Sequence, residues 1–369
     1  MSARRPGAGC DLVLLGAGHA QVEVLRRFAR RPEPGLRLIL IAREPWTPYS
    51  GMLPGVIRDE YARADAHLAL APLAAAAGAR LVVAAAVAID FGSRQVRLED
   101  GAVVGFDLLS IDVGGIPALP PEAGGEGVFP VKPIGRFLDL LAALEAGLPA
   151  GARIAVVGDG AGGTELALAL ARRLSGRARI LLVGAGPQPL AEAPARARRV
   201  VRAALDAAGV AVRSGVRAGR LETGWLALSD GTTEKAAAAL WATGVVGPAF
   251  LAASGLGCDP AGCVRVDPML QSLSHQGVFA AGDCAAIAGM PRPKAGVWAV
   301  RAGPVLAGNL RRAVRGEALR PWRPQRRALA ILGLADGRAV AWRGCWSLSG
   351  RAVAWWKDRI DRRWMARYR

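Results

Sequence analysis

Two glycine-rich stretches stand out as residues that could do chemistry: Gly16-Ala17-Gly18-His19-Ala20-Gln21 and Gly158-Asp159-Gly160-Ala161-Gly162-Gly163. A glycine-rich turn opening a helix lets a pyrophosphate come close to backbone N–H groups, where the helix dipole also favours negative charge. The second stretch is a complete G-x-G-x-x-G, with Glu165 two residues further on. The first keeps two glycines but has Gln21 where close packing of helix on strand wants glycine or alanine.

The surrounding sequence supplies the elements that must position such loops. An apolar run, Asp11 to Leu15, precedes the first, and Val22, Leu25 and Phe28 follow it at helical spacing. The pattern recurs with Arg153 to Val157, then the second loop, then Leu166 to Leu174. Each unit continues into a second apolar strand, Leu36 to Ile41 and Ala178 to Val183, as a β-α-β crossover requires. Both units therefore read as doubly wound α/β. A hairpin turning at Asp100-Gly101 leads into a buried strand over Asp107 to Ile111, and the strand Gly277 to Ala281 ends at Gly282-Asp283.

The acidic residue that usually closes the second strand of such a unit, and binds a ribose, is missing twice. Ala42 stands there in the first unit, followed by Arg43-Glu44, so that Glu44 is the residue left to reach a ribose; Gly184 stands there in the second. Gly184 removes the feature that selects NAD over NADP, and no evident arginine takes its place, so the sequence leaves that choice open.

At 369 residues, 52% hydrophobic, with 47 glycines, the chain is long enough for two or three domains. Its net charge of +18 favours anionic partners without choosing among them, and an arginine-rich composition alone would produce it. No nucleic-acid recognition motif accompanies the charge, so no nucleic acid is expected as a partner. The five cysteines are scattered, with no C-x-x-C and no metal spacing, so neither a disulfide framework nor a metal site is expected. The segment Met1 to Cys10 lacks the apolar core of a signal peptide, and the expected location is the cytoplasm. Ala236 to Cys258 is uncharged and long enough to span a membrane, but Gly244, Gly247, Pro248, Gly255 and Gly257 make it read as a strand, a turn and a short helix.

The paired loops, together with Ala242-Thr243-Gly244 and Val278-Phe279-Ala280-Ala281-Gly282-Asp283, resemble the FAD-dependent pyridine nucleotide-disulfide oxidoreductase superfamily. Thr47 to Gly55, Lys294-Ala295-Gly296-Val297 and the tail Trp356 to Asp361 resemble a branch similar to type II NADH dehydrogenases and to the flavoprotein domain associated with selenide, water dikinase. The resemblance implies two Rossmann-like three-layer domains, the second inserted in the first. An FAD-binding domain would comprise 1–125 and 246–315, an NAD(P)-binding domain 126–245, and a C-terminal region 316–369.

It further implies FAD at Gly16, Gly18, His19, Ala20 and Glu44, with Asp283 on the ribityl chain after Gly282 and with Gly114 returning the chain beneath the cofactor. Tyr49, Ser50 and Gly51, and Lys294, Gly296 and Val297, would lie near the flavin ring. Gly158, Gly160, Ala161, Gly162, Gly163 and Gly244 would hold NAD(P)H. Glu165 would border the nicotinamide, or serve only as a first-turn helix acid.

Disulfide reductases of this kind need two cysteines near the flavin after the first unit, and Ile41 to Ile57 has none. The expectation is hydride passing from NAD(P)H to flavin and electrons onward to a quinone or another small-molecule acceptor. The alternative is a flavoprotein partner of selenide, water dikinase. In the tail, Val353, Trp356, Ile360, Trp364 and Tyr368 share one helical face and basic residues lie largely elsewhere. Such a face suits an anionic membrane surface, inside the cell, or packing on the protein itself or on a partner.

Overall fold

The computed structural model describes residues 9–369, so the reading of the first eight residues lies outside it. Strand Cys10–Leu15 carries Leu12, Val13, Leu14 and Leu15 essentially without solvent contact, as a parallel strand covered by helices on both faces requires. Helix His19–Arg30 returns the chain to strand Leu36–Ala42, which pairs in parallel register, Leu12 opposite Leu38. The sheet is five-stranded and parallel, in the spatial order Val278–Ala280, Leu108–Ile111, Cys10–Leu15, Leu36–Ala42, Ala79–Val83. Its outer strand Val278–Ala280 comes from far down the chain, so the segment between is inserted.

That insert builds a second five-stranded parallel sheet, in the order Val128–Pro130, Ala238–Trp241, Ala152–Val157, Ala178–Gly184, Ala211–Ser214. Each unit adds a three-stranded antiparallel sheet, over 86–105 in the first and 218–235 in the second. The turn at Asp100-Gly101 lies in the first of these, with Gly101 at φ +84. The uncharged stretch from Ala236 resolves into strand Ala238–Trp241, the short strand Val245–Val246 and helix Ala249–Ala253. Among the described residues no helix is long and apolar enough to cross a membrane.

Helix Gly296–Arg315 packs along the first helix at close range: a Cβ on Gly303 would lie 2.7 Å from that of Glu23. It ends at Gly316, whose φ of +68 is the left-handed cap that glycine supplies without strain. The C-terminal region then forms an antiparallel sheet, Ala330–Gly333, Ala339–Arg343 and Trp346–Gly350, and helix Arg351–Ala366.

This region joins both cores. Leu332, Leu334 and Val340 pack into the core of the second unit, whereas Trp364, Met365 and Tyr368 pack into that of the first. Of the apolar face read from the tail, Val353, Trp364 and Tyr368 are buried in the chain itself, Trp356 is half-buried, and Ile360 remains exposed. Most of the surface that would meet a membrane is therefore already covered.

Candidate functional site

In the first loop the glycines make room for a protein side chain. A Cβ on Gly18 would lie 2.3 Å from the carboxyl group of Asp112, one on Gly16 2.4 Å from its carbonyl oxygen, and one on Gly282 2.2 Å from Oδ1. The Asp112 Oδ2 accepts the N–H groups of Ala20 (2.9 Å) and Gln21 (3.2 Å) at the start of helix His19–Arg30. Burial pushes this carboxyl up to about 7, against the pull of those two N–H groups and with Asp283 adding to the rise.

Asp112 also accounts for Gln21. In the second loop a Cβ on Gly163 would lie 1.9 Å from the Gly158 oxygen, so only glycine fits, and the neighbouring strand end carries the small Ala242. In the first loop Asp112 stands at that strand end, its carboxyl group bridges to the helix, and Gln21 turns away to donate from Nε2 to the Ser110 oxygen at 2.5 Å.

The residues read as surrounding a flavin ring converge. Thr47 donates to the Ala17 oxygen at 2.7 Å, tying its segment to the first loop. Tyr49 meets His19 edge-on, with centroids 5.4 Å apart. A Cβ on Gly296, at the start of its helix, would sit 3.6 Å from the Ser50 hydroxyl, and Val297 lies in the same first turn. Lys294 donates to the Ala285 oxygen at 2.6 Å. Asp283 pairs with Lys132 at 2.7 Å, a partner the sequence did not reveal. Beside them lies a cavity of about 400 Å³ lined by Asp283, Lys294, Met290, Trp298 and Trp322 among others.

The His19 Nε2 is buried with no protein partner. Burial lowers its imidazole to about 4, with Asp283 opposing and Lys132 assisting, so it stays neutral. Gly114 has φ +73 with open space on its Cβ side. Glu44 lies apart from the ring-side residues: a Cβ on Gly135 would be 2.8 Å from its Oε2, at the start of helix Ile134–Gly147.

The second loop presents its backbone outward. Gly160, Ala161 and Gly162 are exposed, and a Cβ on Gly160 or Gly162 would meet nothing within 4 Å. Gly158, at φ +121, is pressed against Ala242, and Gly244 has open space beside it. Behind the loop, Asp159 folds its carboxyl group over Gly184 and accepts the Gly186 N–H at 2.9 Å.

Glu165 belongs to a charged cluster that the tail helix completes. Its Oε1 accepts the Gly333 N–H at 2.8 Å. Lys357 donates to the Gly51 oxygen at 2.7 Å and to Asp361 at 2.8 Å. Arg58 makes a two-point pair with Glu60 at 2.9 and 2.8 Å while its Nη1 is buried without a partner. Burial raises the carboxyl groups of Glu165 and Asp361, and Lys357 opposes both. Burial also works against charge on Lys357, yet Glu165 and Asp361 outweigh it and hold the ammonium above its usual value. Lys357 and Asp361 sit in the tail segment already singled out by resemblance, but nothing in their spacing placed them against Gly51 and Glu165.

Two parallel sheets, each with a glycine loop at a strand end and one inserted in the other, define the class of two-unit dinucleotide-binding reductases. The chain belongs to the pyridine nucleotide-disulphide oxidoreductase family, whose sequence pattern matches residues 10–303. It is an FAD-dependent NAD(P)H oxidoreductase. An NADH dehydrogenase-like protein of Mycobacterium tuberculosis is 29% identical to it, the match covering 74% of this chain and 72% of that one. The ferredoxin–NAD(+) reductase component of a Pseudomonas putida p-cumate 2,3-dioxygenase system is 32% identical over 74% of this chain and 67% of its own. The demethylphylloquinone reductase of Synechocystis is 30% identical over 53% and 51%. Among solved structures, the sulfide:quinone oxidoreductase of Aquifex aeolicus superposes with a TM-score of 0.78 at 18% identity, covering 98% of this chain and 92% of that one, a likeness of fold.

The two sites fit these groups in different ways. The open backbone of Gly160 and Gly162 suits a close-lying pyrophosphate. At the first loop, the partnerless Nε2 of His19 and the open side of Gly114 offer a polar contact and space, while Asp112 near its midpoint at neutral pH limits the negative charge beside a pyrophosphate.

Proposed function

We propose that this chain passes electrons from NAD(P)H through FAD to a quinone or a similar small acceptor, with no protein disulfide in the path. The flavin, when bound, accepts hydride and delivers the electrons; the protein binds, orients and shields. The observation that carries the reading is Lys357. Its ammonium group is bonded to the Tyr49–Gly51 turn and is held charged by Glu165, which belongs to the helix of the second loop. The turn taken to border the flavin and the helix that follows the second loop thereby meet at one buried charge cluster.

In this reading Gly16, Gly18 and His19 receive FAD, and Ala20 contributes by holding Asp112. Asp283, fixed by Lys132, serves the ribityl chain. Glu44 and Gly114 complete the binding surface, and Tyr49, Ser50, Gly51, Lys294, Gly296 and Val297 enclose the ring. Gly158, Gly160, Ala161, Gly162, Gly163 and Gly244 take the nicotinamide cofactor, with Glu165 at its reacting end. The FAD unit would comprise 1–125 with 246–315, the inserted unit 126–245, and the tail region 316–369.

The thiols support transfer without a disulfide. Cys284 lies 3.2 Å from the Ala281 oxygen and Cys263 3.4 Å from the Asp283 oxygen, and burial raises both, together with Cys258. A thiol kept protonated is a poor nucleophile. The similarity to a quinone reductase supports a quinone as acceptor, and the similarity to a ferredoxin–NAD(+) reductase names the competitor. Two residues of the face that the partner-subunit alternative would use, Trp364 and Tyr368, are buried in the chain itself.

The test is anaerobic. The purified yellow protein is mixed with NADH or NADPH, and the bleached flavin is then offered a short-chain quinone or a ferredoxin. Bleaching followed by rapid reoxidation with quinone is expected. Flavin that neither nicotinamide bleaches would overturn the reading, and reoxidation by ferredoxin alone would replace the acceptor.

A further inference from the structure

The space over Gly184, where a unit of this kind usually carries its ribose-binding acid, is occupied from elsewhere. A Cβ on Gly184 would lie 2.2 Å from both Cγ and Oδ2 of Asp159, and 2.3 Å from its Cβ. A Cβ on Gly186 would lie 2.7 Å from the same Oδ2. Strand end and loop are thus complementary: two glycines vacate the volume and one aspartate, the second residue of the glycine-rich loop, fills it. The Gly186 N–H fixes Oδ2 at 2.9 Å, and the N–H of Leu190 and the hydroxyl of Thr164 hold the Asp159 main-chain oxygen at 2.9 and 3.2 Å.

We infer that Asp159 is the residue that sets nicotinamide preference, and that it selects NADH over NADPH. The inference rests on the second loop being the nicotinamide site. A carboxylate at this place accepts hydrogen bonds from the free hydroxyls of an adenosine ribose and repels a 2′-phosphate. The flanking arginines do not reverse the balance. Arg213, on the adjacent strand, donates to Asp230 at 3.0 Å and Thr232 at 2.9 Å, and Arg198 donates to the carbonyl oxygens of Ala193 at 2.6 Å and Ala191 at 3.2 Å.

The experiment measures binding by calorimetry on the flavin-loaded protein, using NAD+, NADP+, ADP-ribose and 2′-phospho-ADP-ribose. The unphosphorylated ligands should bind at least about tenfold tighter, the worth of roughly one charge-assisted hydrogen bond. Asp159→Asn keeps shape and an acceptor for Gly186 but removes the charge, and should cut that ratio to near unity. Moving the acid, Asp159→Gly with Gly184→Asp, returns it to the strand end and should restore the preference, a rescue that a merely structural Asp159 would not allow. Equal binding of both ligand types by the unaltered protein, or an unchanged ratio in Asp159→Asn, overturns the inference while leaving the second loop as a nicotinamide site. Arg217 is exposed and follows Val216, whose N–H donates to the Gly184 oxygen at 3.1 Å, and a preference for the 2′-phosphate that disappears in Arg217→Ala overturns the inference in favour of that arginine. If none of the four ligands binds, the site itself is wrong and the inference falls with it.

Discussion

Trp364 lies flat on Tyr49, with ring centroids 4.1 Å apart and 16° between the planes. One residue is in the last turns of the chain and the other in the turn proposed to border the flavin, so the tail helix forms a wall of the candidate site. Trp364 is 7% exposed and also touches His19 and Tyr368, at 5.1 and 4.8 Å between centroids. Trp364→Ala should cost about 3–5 kcal/mol of stability, typical of an emptied aromatic site, and Trp364→Phe much less. Thermal unfolding and the rate of flavin release, followed by fluorescence, are the measurements. A variant as stable as the parent with unchanged flavin retention would show that the tail does not close the site.

His19 and Asp112 should produce opposite pH dependences. Asp112 is raised from 3.8 to about 7, so its proton stabilises the fold fully below pH 3.8 and this contribution is lost as pH rises toward 7, roughly 4 kcal/mol in all. His19 is lowered from 6.5 to about 4; its contribution is full above pH 6.5 and is lost as pH falls toward 4, roughly 3 kcal/mol. The two slopes oppose each other between pH 4 and 6.5. Relative to the parent, Asp112→Asn should gain stability with rising pH across this window and His19→Gln should gain it with falling pH, read from denaturant midpoints at several pH values. Parallel shifts independent of pH would refute the assignment.

Lys357 is 13% exposed and sits between acids that need its charge. Lys357→Met should destabilise by about 3–5 kcal/mol, because a buried carboxylate is left without its partner. Adding Asp361→Asn should recover part of that loss, a coupling that chemical denaturation of the two single variants and the double variant would reveal. Simple additivity would mean that the pair does not act as a unit.

Two of the glycines in the second loop, Gly160 and Gly163, should fail in different ways. Gly160→Ala adds a methyl group where the protein has nothing within 4 Å, so the melting temperature should hold while the dissociation constant for nicotinamide rises tenfold or more. Gly163→Ala places a methyl group 1.9 Å from the Gly158 oxygen and should lower stability as well. Unchanged nicotinamide binding in Gly160→Ala would move the cofactor elsewhere.

The sequence by itself determined the two nucleotide-binding units. Asp11 to Leu15 with Gly16 and Gly18, and Arg153 to Val157 with Gly158 to Gly163, carry local signals, because strand, turn and helix are each set by residues a few positions apart. The family resemblance rests on these loops together with other short stretches, Ala242 to Gly244 and Val278 to Asp283 among them. The tertiary structure alone decided which side chains share a volume. Asp112 lies 94 residues beyond Gly18 yet fills the space its missing Cβ leaves, Asp159 fills that of Gly184, and Lys357 reaches Gly51 across 306 residues. No periodicity encodes such pairings, since they depend on how two sheets and a tail pack against one another. For the same reason the apolar face of the tail was legible as a pattern but its destination was not: burial on a membrane and burial on the chain's own core satisfy the same hydrophobic requirement.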